Sequence, residues 1–547
     1  MTSLHERTAT ELSRQLRSGE LSPTDVTEHY LDRVAQRDEA LGAFVTVTPD
    51  GARATAARLS VEGPPTEAGT APLWGLPTGD KDLSDRAGVP TGFGSRAFSG
   101  SYRYVPEVSS DVTQVLDAAG VVSLGKTAAP ELGFPSYTET LVGPPARNPW
   151  DLTRGSGGSS GGAAVAVAAG LLPVAPGSDG GGSIRIPAAA CGLVGLKPTR
   201  GLLPAGGGVE SLGGLVVHGP IARTTADAAL LLEGMLPRTA GGLVDHPRTL
   251  RTAAAPASSY LEAAETGEAP EGRPLRIGLS TFSSWDGAYD VVLGAEARTA
   301  LDAGVRTLGS LGHEVVDADP WEPDPTYAPA FRTLWMAGAA AVPIDEPERL
   351  ALLEPLTQWL VERGRAVTAR ELVEALGALS AFERTMVARV SAYDAVLLPA
   401  MAQTPRPVGW YDATDPERNF AQQCEYTPYT SMINVCGLPA ITVPTHWTEP
   451  DATAPAGLPM GVQLVGRPGG ERTLLAVAAQ LEASLRWPDR HPPAWRDRAV
   501  VAKTGRLPAG TLTPGSTAMP PRPAPTGGAV VPPPSSPGGP PPDRSLP

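Results

Sequence analysis

Two glycine–serine clusters constrain this chain more than any other feature. They are Gly155-Ser-Gly-Gly-Ser-Ser-Gly-Gly162 and Gly177-Ser-Asp-Gly-Gly-Gly-Ser183, and the apolar stretch Ala163–Ala175 lies between them. Glycine loses more conformational freedom on folding than any other residue, so such runs weaken a fold unless the backbone must go where side chains cannot. As plain connectors they would be two flexible loops. Held between apolar elements they can do more, because successive N–H groups converge on one point and form an anion-binding nest. Beside a serine hydroxyl, such a nest is an oxyanion hole with its own nucleophile. The two clusters supply serines and donors but no base.

Composition supplies a candidate. Of the 44 Lys+Arg among 547 residues, four are lysine: Lys81, Lys126, Lys197 and Lys503. Most surface positions accept either cation, so a lysine retained in an arginine-rich chain points to a task that a guanidinium cannot perform. Lysine loses its proton near neutral pH when its surroundings depress its pKa; arginine does not. Lys81, in Gly75-Leu-Pro-Thr-Gly-Asp-Lys-Asp82, lies in a segment bounded by glycine and proline.

Charge and cysteine usage exclude several classes. A net charge of −14 argues against nucleic-acid and anionic-membrane partners, which want a basic footprint. Three cysteines (Cys191, Cys424, Cys436), with no C-x-x-C or H-E-x-x-H spacing, give no disulfide scaffold and no expected metal site. The start Met-Thr-Ser-Leu-His-Glu-Arg lacks a signal-peptide pattern, and Ala163–Ala175 is too short to span a bilayer. The cytoplasm is the expected compartment.

Two familiar motifs mislead. Gly120-Val-Val-Ser-Leu-Gly-Lys-Thr127 satisfies the phosphate-loop pattern, but its middle reads as strand and a helix precedes it. Gly157-Gly-Ser-Ser-Gly161 satisfies the nucleophile-elbow pattern, but no apolar strand leads into it. Histidines at 218, 246, 313, 446 and 491 leave a Ser-His-Asp arrangement open.

The fold class reads as α/β. Thr8-x-x-Glu11 is a capping box before Ala9, Leu12 and Leu16, with Gly19 as the stop. Ser22-Pro23 opens a helix carrying Val26, Tyr30 and Val34 on one stripe. Val112, Val115, Leu116 and Ala119 form a helix that leads into the apolar run Val121–Leu124. Further short apolar runs at Leu215–Val217, Ala395–Leu398, Ala440–Val443 and Val462–Val465 are expected as buried strands of one large sheet covered by helices. Residues 1–500 are expected as a single domain, with a helical insertion over about 240–420 that includes Arg349–Arg363 and Ala369–Val390. Residues 501–547 are expected as a Pro/Gly-rich disordered tail, since 508–547 hold 14 prolines, six glycines and no aromatic.

Taken together, the segments resemble the amidase signature family. Lys81-Asp82 looks like its K-D step, Gly157–Gly162 like its G-G-S-S-G-G box, and Asp179–Pro187 like its D-x-G-G-S-x-R-x-P box. Gly125-Lys-Thr with Pro130-Glu131, Cys191–Thr199, Gly219–Asp227, Gly437–Ala440 and Gly457–Glu482 resemble further family segments, so the likeness covers about residues 8–485. It implies a large mixed, twisted sheet and cofactor-free hydrolysis of a small-molecule carboxamide. It implies that Ser183 is the nucleophile, with Lys81 as base acting through Ser159, and that a cis peptide bond precedes Ser159. It assigns the oxyanion hole to the N–H groups of Gly180, Gly181, Gly182 and Ser183, and a loop-shaping role to Ser160, Asp179 and Arg185. A homodimer stays open. So does an amidotransferase A-type subunit that releases ammonia from glutamine, although Ser-Leu-Gly-Gly-Leu at 211–215 lacks that subunit's S-S-L-D-Q stretch.

The chain departs from the family at two points near the site. Gly180 stands where many members carry a β-branched residue, which suggests a looser turn. Asp80 precedes Lys81, where a carboxylate would favour the charged amine unless it points away. Trp335, Met336 and Trp359 are the apolar candidates for an acyl-pocket wall within 320–420.

Overall fold

The computed structural model describes residues 3–495 except 67–70, 205–211, 240–241, 244–248, 250–258 and 319. The expected tail at 501–547, together with His246, Ser211 and Lys503, lies outside the described residues.

The N-terminal helices follow their local signals. Thr8 caps the helix Ala9–Ser18 in a full capping box, Gly19 ends it at φ 75°, and Ala9, Leu12 and Leu16 are buried. Ser22 caps Pro23–Leu41, which buries Val26, Tyr30 and Val34.

The strands are β1 (Phe44–Val47), β2 (Pro77–Lys81), β3 (Val122–Thr127), β4 (Val174–Asp179), β5 (Val194–Lys197), β6 (Val217–Ala222), β7 (Arg238–Thr239), β8 (Gly242–Leu243), β9 (Arg276–Leu279), β10 (Glu314–Asp317), β11 (Ala395–Pro399), β12 (Ala440–Trp447) and β13 (Pro459–Gly466). Eight of them form one sheet in the order β10-β9-β11-β13-β12-β5-β6-β4, and three form a second in the order β1-β3-β2. The large sheet is mixed. β9 pairs parallel with β10 and β11, whereas β11, β13, β12, β5, β6 and β4 pair antiparallel in turn.

Helices cover both faces of the large sheet, which is why its strands read as unbroken apolar runs. Alternation along β11 shows this directly. Ala395 and Leu397 join the core cluster beneath the N-terminal helices, Gly161–Ala168 and Glu471–Leu485, while Val396 and Leu398 join the cluster beneath the helices of 327–391. No described helix is long and apolar enough to cross a membrane.

Three sequence readings need correction. The strand placed at Leu215–Val217 begins only at Val217 and continues through Gly219 and Pro220, which local rules treat as breakers. The stretch 240–420 is not purely helical, because β9, β10 and β11 belong to the large sheet. The edge strand β10 buries none of its four residues, so it carried too little apolar signal to be read. The helix expected over Arg349–Arg363 is broken at Ala351–Glu354, ahead of Pro355.

The helix Gly161–Ala168, which follows the first glycine–serine cluster, touches the small sheet without clearance. Gly162 N–H donates to Ala128 O at 3.0 Å, and a Cβ at Gly162 would lie 2.3 Å from Ala128 N and 2.4 Å from Ala43 O. Backbone cannot move aside as a flexible side chain can. Gly162→Ala should therefore lower stability by about 1–3 kcal/mol or more, read as a fall in the urea midpoint at unchanged far-UV circular dichroism.

Candidate active site

The two glycine–serine clusters lie against each other. Ser160 N–H donates to Ser183 O at 3.1 Å, and Ser160 Oγ donates to Ser178 O at 3.3 Å. Ser178 N–H approaches Ser160 Oγ at 3.4 Å in return. One cluster thus opens the helix Gly161–Ala168, the other leads from β4 into the helix Arg185–Cys191, and Ser160 ties the two turns together. The peptide bond between Gly158 and Ser159 is cis.

Lys81 ends β2, which packs against β4. Its side chain is buried and reaches both clusters: Nζ donates to Ser159 Oγ at 2.8 Å, Ser178 Oγ at 3.0 Å and Ser178 O at 3.2 Å. Of the three described lysines it alone makes this junction. Lys126 Nζ bonds Ser84 O and Thr91 Oγ1, and its segment Val122–Thr127 is strand, so the phosphate-loop pattern holds no phosphate loop. Lys197 Nζ donates to Pro198 O at 3.0 Å; burial, followed by the nearby Arg185 charge, lowers its pKa to about 7.

The carboxylates beside Lys81 in sequence point elsewhere. Asp80 pairs with Arg86 at 2.5 Å and accepts from Ser123 Oγ at 2.7 Å. Asp82 accepts from Gly92 N–H at 3.1 Å; burial raises its pKa to about 6, against the opposing pull of Lys126. His218 lies opposite Ser178 in the β4–β6 register. Burial is the main cause that lowers its pKa to about 4, so its imidazole is neutral at pH 7.

Asp179 and Arg185 organise the second turn. Both are fully buried, and Arg185 Nε and Nη2 donate to the two Asp179 oxygens at 2.9 and 3.0 Å. Burial alone would raise the Asp179 pKa, yet the Arg185 charge and hydrogen bonds hold it well below the usual carboxylate range. Asp179 also accepts from Gly182 N–H at 2.7 Å, Ile184 N–H at 3.2 Å and Asn434 Nδ2 at 2.9 Å.

These bonds correct one sequence expectation. The Gly182 N–H is committed to Asp179, and the carbonyl at the other end of that peptide, Gly181 O, accepts from Thr430 Oγ1 at 2.6 Å. A donor turned into the ion pair cannot also face an oxyanion, so Gly182 drops out of the expected donors. Gly182 is needed for another reason. Its φ is 132°, and a Cβ would lie 2.4 Å from Thr430 Oγ1. At Gly180 a Cβ would meet Val216 Cγ2 at 3.1 Å, so a larger residue there would need Val216 to shift.

Ser183 opens onto two cavities. One, of about 690 Å³, is also lined by Ser159, Ser178 and Gly180. The other, of about 470 Å³, is also lined by Gly181. Phe134 and Trp335 line both. Of the expected wall residues, Trp335 is therefore at the site. Met336 and Trp359 line neither cavity and pack against the second core cluster instead. Among the described residues no charged side chain lines either cavity.

Sequence reasoning missed Ser178, although it stands between two residues that were singled out, Gly177 and Asp179. It also missed Asn434, Thr430 and Gln463, whose contacts with Asp179 and Arg185 span some 245–278 positions. No local signal marks them.

The ion pair gives a pH test. A carboxyl held below its unfolded value of about 3.9 contributes stability above that pH and loses it as pH falls. Asp179→Asn strands a buried guanidinium, which should cost about 3–5 kcal/mol. The gap between wild type and variant in urea unfolding should be constant from about pH 5 to 8 and shrink below about pH 4.

Known proteins resemble this chain over most of its length. The family described as Amidase matches residues 25–475. AmiB2 of Mycobacterium tuberculosis, which carries the name of an amidase, is 38% identical over 493 residues, 88% of this chain and 96% of that protein. The A-type subunit of a glutamyl-tRNA(Gln) amidotransferase from Synechococcus is 33% identical over 517 residues, covering 88% and 93%. Among solved structures, a 6-aminohexanoate cyclic dimer hydrolase in complex with substrate has TM-score 0.78 at 29% identity, covering 90% of this chain and 100% of that one. A peptide amidase from Stenotrophomonas maltophilia has TM-score 0.69 at 26% identity, covering 89% and 98%.

Proposed function

The chain belongs to the amidase signature family of amidohydrolases, and from that premise we propose that it is a free-standing amidase whose reacting residues are Ser183, Ser159 and Lys81. The observation that carries the reading is the 2.8 Å bond from Lys81 Nζ to Ser159 Oγ, on the wall of a cavity that Ser183 shares.

In the proposed cycle Lys81 starts as the neutral amine. Ser183 Oγ attacks the amide carbon while its proton passes to Ser159 and the Ser159 proton passes to Nζ. The carbonyl oxygen becomes an oxyanion facing the N–H groups of Gly180, Gly181 and Ser183, a contribution of about 3–4 kcal/mol per donor. The C–N bond then breaks as the proton returns through Ser159 to the leaving nitrogen. Water attacks the acyl-enzyme ester, gives its proton to the same relay, and releases the acid with Ser183 restored. Ser178 is a positioning residue, since its two oxygens hold Nζ against Ser159.

The similarity to an amidotransferase component raises glutamine as a substrate. Free glutamine carries an ammonium and a carboxylate, and burying them calls for charged partners. The described cavity walls offer none, which favours uncharged amides.

Three measurements test this. A fluorophosphonate should modify Ser183, located by peptide mapping; a label on Ser159 that persists in Ser183→Ala would remove Ser183 from the role of nucleophile. Lys81→Arg keeps a cation of similar reach but not a titratable base. It should lose at least ~10²-fold in kcat with the fold intact, as Lys81→Ala should. An arginine variant retaining more than a tenth of the activity overturns the base assignment. Wild-type kcat/KM should rise with pH through an ionisation below the usual lysine value of about 10.4.

A further inference from the structure

We infer that the two cavities at Ser183 divide the substrate between them: the aromatic one takes the acyl group and the aliphatic one takes the amine. The inference rests on the Ser183–Ser159–Lys81 reading and adds a substrate class to it, namely uncharged amides of aryl-bearing acids with alkyl amines.

The direction follows from where the proton must go. The leaving nitrogen has to lie within hydrogen-bond reach of its proton donor, which is Ser159. Ser159 lines the 690 Å³ cavity and not the 470 Å³ one. The amine substituent therefore projects into the larger cavity, and the acyl substituent, on the other side of the carbonyl carbon, enters the smaller.

The walls differ in kind. Beyond Phe134 and Trp335, which line both, the larger cavity presents Leu83, Leu132, Leu212, Leu215, Val216 and Leu334. The smaller presents Trp285, Phe331 and Phe420. The rings are already fixed in edge-to-face and stacked contacts. Phe134 meets Trp335 at 5.7 Å and 78°, Phe331 stacks on Trp335 at 5.4 Å, and Trp285 meets Phe331 at 5.3 Å and 82°. Trp285 Nε1 donates to Ser431 Oγ at 3.0 Å, which fixes the indole plane. A preformed aromatic wall favours another ring over an alkyl chain through the same quadrupole geometry. The wall reaches the reacting centre, since a Cβ at Gly181 would lie 3.9 Å from both Phe331 Cζ and Trp335.

The Gln423 and Thr427 side chains of the smaller cavity are engaged within the protein, while the buried Ser136 hydroxyl has no hydrogen-bond partner among the described residues. Gln423 Oε1 accepts from Ser136 N–H at 2.7 Å and Gln423 Nε2 donates to Asn419 Oδ1 at 2.8 Å. Thr427 Oγ1 donates to Gln423 O at 2.9 Å. An acyl group bearing its own charge or strong donor would find these partners already taken.

The test uses three uncharged amides with the full-length chain: N-butylphenylacetamide, its mirror arrangement N-benzylpentanamide, and N-butylpentanamide. We expect kcat/KM for N-butylphenylacetamide to exceed that of each of the others at least ~10-fold, the size of effect that one apolar pocket gives. Phe331→Leu should reduce that preference for the aryl acid at least ~5-fold, and Leu334→Ala should leave it while changing discrimination between butyl and methyl amines. A preference for N-benzylpentanamide, or a loss of acyl preference in Leu334→Ala but not in Phe331→Leu, overturns the assignment. No turnover of any of the three also overturns it. Fluorophosphonate labelling of Ser183, run alongside, then tells whether the underlying serine reading fails too.

Discussion

The buried pair of Asp179 and Arg185 is the interaction on which the site's geometry depends. Two charges with no exposure are costly, and their mutual attraction repays the desolvation only when the remaining donors and acceptors are also satisfied. Here they are met from three directions. Arg185 Nη1 donates to Gln463 Oε1 on β13 at 2.6 Å, and Nη2 donates to Asn434 Oδ1 at 2.6 Å and Thr430 O at 3.1 Å. Asn434 Nδ2 in turn donates to Asp179 O at 2.7 Å and to Leu215 O at 3.0 Å. The pair is thereby anchored to the middle of the large sheet, and the turn at 180–183 inherits that rigidity.

Peptide directions follow from this anchor. Asp179 draws in the N–H groups of Gly182 and Ile184, which fixes the planes of alternate peptides in the turn. Ser183 O is held by Ser160 N–H and Gly182 O by Ile186 N–H at 2.7 Å. With those planes fixed, the orientations of the Gly180, Gly181 and Ser183 amides are no longer independent. A glycine-rich turn is thus made stiff by a side-chain pair rather than by its own conformational preferences, and glycine is required at 182 because Thr430 occupies the space of a Cβ.

What could be read from the sequence divides along the same line. Capping box, helix faces and apolar runs are local, and the helices at 9–18 and 23–41 and the strands β11, β12 and β13 lie where those signals put them. The amidase resemblance was legible because its boxes are short and ordered. Lys81 stood out through lysine scarcity, and the structure brings it to Ser159. Partners contributed from distant segments left no trace, as with Asn434 and Gln463. Orientation was also hidden. Trp335 and Met336 are adjacent and equally apolar, yet the two cavities take Trp335, which lies one turn beyond Phe331 on the same face of the helix Tyr327–Ala340. Helical spacing from Phe331 would have separated them. Gly182 illustrates the opposite error, in which a motif names a donor that the ion pair has already taken.

The division also separates chemistry from selectivity. The groups that fix the proposed reacting centre come from β2, β4 and the two glycine–serine turns, while the aromatic wall comes from 134, 285, 331–335 and 420, outside those turns. Changes in the wall can alter which amide fits without disturbing the anchor. The surroundings of Lys81 fit the same logic. Asp80, next to it in sequence, is carried by strand alternation away from Nζ to Arg86 and Ser123, and Asp82 turns to the loop at 92. Nζ donates to Ser159 Oγ, Ser178 Oγ and Ser178 O. A carboxylate in their place would stabilise the ammonium and suppress the neutral amine that a base requires. The strand register that turns Asp80 to Arg86 is therefore as much a condition of the proposed chemistry as the lysine itself.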